Sequence, residues 1–223
     1  MQSWLTNVCR LTAPHILWPI VTQCSRTYYC VVQVWRGLRP KQALWSYKMD
    51  LKKQYILREL WILAWNASVQ HASLYVQDAW KNRREEINRF KDKIIKYLSD
   101  VIIPRYREKA DEDQHLKNIS ELIEFANKVD TGVLGKNRYK YGVAQKLLNL
   151  ALKYYWCIDE IEEPPHCPID RIVIEKTKFR GLVNWTQITN ESEYLMVVEA
   201  IRELASAQGV SISEWELTSY QRR

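Results

Sequence analysis

Between Gly135 and Ile174 the chain reads GKNRYKYGVAQKLLNLALKYYWCIDEIEEPPHCPIDRIVI. A glycine turn, Tyr141-Gly142-Val143, opens into a run dense in apolar residues: Leu147, Leu148, Leu150, Ala151 and Leu152. No glycine or proline interrupts it, so it predicts a strong helix over about Val143 to Trp156. Pro164, Pro165 and Pro168 then make a rigid connector. Ile169 to Lys176 alternates apolar and polar residues, which fits a short strand or one helical turn equally well.

Helical spacing continues on both sides. Asp50 to about Ala67 reads as a helix with Tyr55, Ile56, Leu60, Ile62, Leu63 and Ala64 crowded on one side. A longer helix is predicted from about Ala72 to Ile103, with Leu74, Trp80, Ile87, Phe90, Ile94, Leu98 and Ile102 recurring at helical intervals and Pro104 ending it. Glu108 to Gln114 is polar and reads as a loop. Asn118 followed by Glu121 is a capping signature, as is Asn190 followed by Glu193, while Ser213 with Glu216 opens a last short helix. Gly209 stops the helix before it. The expected fold is mainly α: a single compact helical domain of about six helices, residues 49–223, behind an irregular N-terminal extension.

Composition limits the function classes. The chain has 223 residues with 33 Lys and Arg against 26 Asp and Glu. Residues 1–48 hold six of the bases (Arg10, Arg26, Arg36, Arg39, Lys41 and Lys48) and no acid. The remaining 175 residues therefore carry 27 bases and 26 acids, and global basicity is no argument for a phosphate-binding surface. Two readings of residues 1–48 stay open: an acid-free basic arm, disordered on its own, or a segment outside the native coding sequence with Met49 as the true start. Cys157 and Cys167 are the only cysteines after Cys30, and no CxxC occurs, so a reducing, cytoplasmic compartment is expected. No apolar run is long enough for a transmembrane helix. Walker-type, Gly-x-Ser-x-Gly and HExxH motifs are all missing.

Chemistry concentrates in the quoted stretch. Backbone amides at Gly142, Val143 and Ala144, at the start of a helix, can hold one phosphate, with Arg138 and Lys140 supplying positive charge. Lys146 lies one turn into the helix, and Asp170 follows it by 24 residues. The stretch resembles the helix-hairpin-helix family of DNA glycosylases, whose hairpin Gly-Val-Gly-x-Lys is followed by an apolar helix and a Pro-Val-Asp segment. Gly142-Val143-Ala144-Gln145-Lys146 looks like the hairpin and Pro168-Ile169-Asp170 like the aspartate segment. Lys140-Tyr141 stand where Leu-Pro is usual, Ala144 stands for the second glycine, and no iron–sulfur cysteine cluster follows. The resemblance implies a duplex-DNA-binding enzyme without a cofactor. Lys146 would attack the sugar C1′, Asp170 would stabilise the cationic sugar, and Trp156 or Trp185 would stack on the extruded base.

Plainer readings accompany each residue. A lysine at a helix start is commonly a solvated charge, an aspartate before Arg171 commonly a helix cap, and the aromatics commonly core. Cys157, Asp159, His166 and Cys167 make a poor metal set, because adjacent ligands fit tetrahedral geometry badly; no metal is expected. The alternative function is a non-catalytic helical protein that binds DNA or a protein partner.

Overall fold

The structure, a computed structural model, describes residues 40–220 apart from Asn137, with side chains from Leu51 onward. The expectations for residues 1–39 lie outside the described residues. Contacts divide the chain into Met1–Ile56 and Leu57–Arg223. The first unit contributes helical backbone from Pro40; nearly all the side chains considered below belong to the second.

Eight α-helices and no strands occur among the described residues: α1 (Pro40–Val69), α2 (Ala79–Asn82), α3 (Arg84–Tyr97), α4 (Glu112–Val129), α5 (Tyr141–Cys157), α6 (Arg171–Ile174), α7 (Glu191–Ala207) and α8 (Ile212–Ser219). Two of them, α2 and α6, are single turns, which leaves six longer helices and agrees with the mainly α expectation. The first helix begins ten residues before Asp50 and runs through the boundary expected at Met49.

The single helix expected over 72–103 is a correction. His71, Ser73 and Asp78 all take positive φ, at 63°, 46° and 59°. Such residues interrupt a right-handed helix, and Asp and His tolerate the left-handed region better than branched side chains do. The segment between them is extended. Tyr75 bridges to Leu134, with Val76 N–H on Val133 O at 3.0 Å and Gly135 N–H on Leu74 O at 2.8 Å. Beyond α3 the helix widens to a π turn, Leu98–Ile102, and tightens to a 3-10 turn, Ile103–Tyr106. Pro104 has no N–H for the regular ladder, so the chain changes its helical pitch there before it leaves.

Two caps also move. Asp111 caps α4 by accepting from Gln114 N–H at 2.8 Å, so part of the expected polar loop is already helical. Asn118 lies mid-helix and fully buried, donating to the Tyr106 hydroxyl at 2.9 Å. Ser211 and Glu214 form the capping box of α8, two residues before the expected pair. Asn190 caps α7 as expected, accepting from Glu193 N–H at 2.9 Å.

The core is organised around α5, which packs against α4, α7 and the 3-10 turn Trp185–Gln187. Residues 141–149 of α5 are all buried. A helix surrounded on every side cannot send polar residues to water. Gln145, Lys146 and Asn149 must therefore find partners inside the protein, or cost the full desolvation of their polar groups. Leu147 and Leu148, fully buried beside them, each contribute about 2 kcal/mol of apolar burial.

Candidate functional site

Gly142 occupies the point where another piece of chain crosses α5. A Cβ there would come within 2.0 Å of the Trp185 carbonyl oxygen. Gly142 N–H donates to Ile188 O at 3.0 Å, and Val143 and Ala144 N–H both donate to Lys140 O. The glycine is needed so that residues 185–188 can lie across the helix start. The phosphate cradle expected from Gly142, Val143 and Ala144 is thereby corrected: all three residues are buried, and their amides are used within the chain.

The same crossing places Trp185 over Lys146. Asn184 holds the 3-10 turn by accepting from Thr186 N–H, and the indole of Trp185 lies with its centroid 4.0 Å from Lys146 Nζ. Lys146 is 8% exposed and Trp185 is 5% exposed. Asp170 faces the amine from the other side, with Oδ2 3.9 Å from Nζ. Its second oxygen, Oδ1, accepts from Val173 N–H at 3.1 Å and caps α6. Asp170 is thus a helix cap and the lysine's counterion at once. Burial pushes the Lys146 ammonium below its ordinary value, and the attraction of Asp170 opposes this without cancelling it. At 3.9 Å the pair is too long for a hydrogen bond.

Gln145 ties the two halves of this arrangement together. Its side-chain amide donates to Ile169 O at 2.8 Å and accepts from Ile169 N–H at 3.2 Å. The remaining capacity goes to Gly142 O and to Asn149 Nδ2.

The other expected site residues are distributed differently. Arg138, 55% exposed, donates to Asn127 O and lies 3.8 Å from Asp130; Lys140 reaches Thr186 O at 3.5 Å. Both precede α5 on the side where residues 185–188 cross. Trp156 is half-buried, ten residues beyond Lys146 and so about 15 Å along the axis; it belongs to a separate crevice with Lys153, Cys167 and Glu216. Of the two proposed stacking residues, the structure brings only Trp185 to the lysine. Cys167 is buried, Cys157 is exposed, and no group of three metal-binding side chains occurs among the described residues.

A buried polar chain was not visible in the sequence. From Gln145 it passes to Asn149, then to the Tyr194 hydroxyl (3.1 Å), His166 Nδ1 (2.9 Å), Glu112 from His166 Nε2 (2.8 Å) and Arg202 (2.7 Å). Glu112, His166 and Arg202 border a cavity of about 320 Å³. Burial holds His166 below its ordinary value despite Glu112, and holds the neighbouring His115 well below. Neutral imidazole with the proton on Nε2 fits the chain: it donates to Glu112 and accepts from Tyr194. Histidines and asparagines scattered over ninety residues carry no signal of such a chain until the fold assembles them.

No protein family, curated protein or solved structure matches this chain. Among the described residues no helix is long and apolar enough to cross a membrane.

Proposed function

We propose that the chain is a helical DNA-binding enzyme that excises damaged bases from double-stranded DNA, with Lys146 as nucleophile and Asp170 as its anionic partner. One observation carries this reading: a desolvated lysine amine, lowered in pKa, 3.9 Å from a carboxylate that a helix N-terminus holds in place. A nucleophilic lysine needs to lose its proton near neutral pH, and burial supplies the tendency. The neutral amine attacks C1′ as the glycosidic bond breaks, and the base leaves with the bonding electrons and takes up a proton. The new C1′–N bond, after loss of its extra proton to Asp170, opens the sugar to an imine. Removal of a C2′ proton then expels the 3′-phosphate. Asp170 also stabilises positive charge on the sugar during the first step. Trp185 covers the amine, so it is placed to meet the extruded base or sugar that displaces it. With the amides of 142–144 spent, phosphate contact falls to Arg138 and Lys140.

A second reading, a non-catalytic protein that binds DNA or a protein partner, is favoured by the closed state of the site: Lys146 is 8% exposed beneath Trp185. Borohydride trapping of the full chain on duplexes carrying different damaged bases separates the two. A covalent adduct that Lys146→Gln removes supports the enzyme. Absence of any adduct across the set, with the protein folded, favours the second reading.

A further inference from the structure

Asp170 and Lys146 come from segments 24 residues apart, and each is preceded by the residue that joins those segments. Gln145 precedes Lys146, and Ile169 precedes Asp170. We propose that Gln145 is a positioning residue that fixes the Lys146–Asp170 separation by pairing its side-chain amide with the backbone of Ile169.

The pairing imitates a backbone ladder. Nε2 donates to Ile169 O at 2.8 Å while Oε1 accepts from Ile169 N–H at 3.2 Å, so the amide holds both polar groups of one residue. Gln145 is fully buried, and its second N–H and second lone pair are used by Gly142 O and Asn149 Nδ2. With four bonds the amide cannot rotate without leaving buried groups unpaired, which costs more than the bonds contribute in net terms. The three prolines of the connector restrict backbone torsions, yet none can anchor the connector to α5, because proline has no N–H to donate. Ile169 is the residue of that connector that offers both a donor and an acceptor next to Asp170. No other residue type offers a donor and an acceptor at this reach: Glu lacks the donor, and Leu or Met lack both.

The inference concerns the geometry of the pair and stands whether or not DNA is the substrate. Its test reads Lys146 directly, through the pH titration of its 13Cε resonance in lysine-labelled full-length protein, assigned by its loss in Lys146→Gln. Asp170→Asn lowers the midpoint, because the attraction that favours the ammonium is gone. Gln145→Leu lowers it in the same direction, by ~0.3 unit or more, as the released segment carries Asp170 away. In the Asp170→Asn background Gln145→Leu adds nothing, which a general loosening of the core would not reproduce. Gln145→Met serves if the leucine variant does not fold. A midpoint unchanged in a folded Gln145 variant, or an equal fall with and without Asp170, overturns the proposal. The wild-type chain gives an independent measurement. Ile169 N–H exchanges with solvent as slowly as the Leu147 and Leu148 amides; exchange at open-loop rates while α5 stays protected also overturns it.

Discussion

Lys146 and Lys153 lie seven residues apart on α5, two turns along the same side of the helix. Each has an aromatic ring over its ammonium, Trp185 at 4.0 Å and Tyr220 at 5.0 Å. Each faces a carboxylate and is largely withdrawn from water, with side-chain exposures of 10% and 16%. The two nonetheless end differently. Lys153 donates a hydrogen bond to Glu216 at 2.5 Å, whereas Lys146 stops 3.9 Å from Asp170. Glu216 reaches from α8 on a longer side chain. Asp170 has one oxygen committed to Val173 N–H and its preceding residue clamped by Gln145, so it cannot close the gap. One lysine is a finished ion pair. The other is an amine deprived of water and held short of its counterion, the condition in which a lysine becomes a nucleophile.

The largest expected effect tests that contrast directly. Lys146→Gln removes borohydride trapping on damaged duplexes to background, a fall of about 100-fold or more, because no other amine can form the imine at that position. Lys153→Gln leaves trapping within a few-fold once the remaining folded protein is normalised. Equal trapping by wild type and Lys146→Gln would mean that the two lysines do not differ as described.

Stability should show the opposite order. Lys153→Met leaves Glu216, with 3% side-chain exposure, as an unpaired buried carboxylate, and should cost about 3 kcal/mol in urea denaturation. Burial already pushes the Glu216 carboxyl up, and Lys153 is what restrains it. Lys146→Met should cost only about 1 kcal/mol, since its longer, partly hydrated pair contributes little against its desolvation. A larger loss at Lys146 than at Lys153 would reverse the structural assignment of the two pairs.

How much of this was legible in sequence depended on how local each feature is. The helix over 141–157 could be read because its apolar run is continuous and its ends carry turn and connector chemistry. The association of Lys146 with Asp170 followed from a spacing and a proline-fixed segment. The break between 71 and 83 was missed because apolar spacing persisted across it, while the left-handed turns at His71, Ser73 and Asp78 depend on pairing with residues 133–135. The role of Gly142 was misread for a related reason. A glycine at a helix start has the same appearance whether a ligand or another stretch of backbone approaches it. The polar chain through Asn149, Tyr194 and His166 was invisible, because each of these residues is ordinary alone.

Gly142→Ala sharpens the comparison from the side of the ring. The new Cβ would meet Trp185 O, a backbone atom, at 2.0 Å, so residues 185–188 must shift. The cost should be about 2 kcal/mol of stability, as for other over-packed positions. Trp185 would move off Lys146 and readmit water, and the Lys146 midpoint should rise toward the ordinary lysine value. Lys153, under Tyr220, should titrate unchanged. A Lys146 midpoint that stays put in the folded variant would show that Trp185 does not cause its desolvation.

The smallest expected effect is in pH. His166 lines the Lys153 crevice with Glu216 and also belongs to the polar chain that ends at Gln145, so it touches both ends of the comparison. Burial lowers the folded-state values of His166 and His115 below the unfolded value of about 6.5. The unfolded chain therefore binds more protons than the native one once the pH drops under that value. Their contribution to stability is fully present above about pH 6.5 and is lost as pH falls below it, at about 1 kcal/mol per pH unit for each histidine that stays neutral. Glu216 acts with the opposite sign: its raised folded value favours the native state at low pH and is lost as pH rises from the ordinary carboxyl range, which partly offsets the histidines near pH 5. Urea denaturation at pH 7.5, 6.5 and 5.5 should show falling stability over the lower interval and little change over the upper one. His166→Gln keeps a donor and an acceptor but cannot titrate, so it should roughly halve that fall. A profile that is flat down to pH 5.5, or unaltered by His166→Gln, would mean that His166 is charged in the native chain and that its link to Tyr194 runs in the other direction.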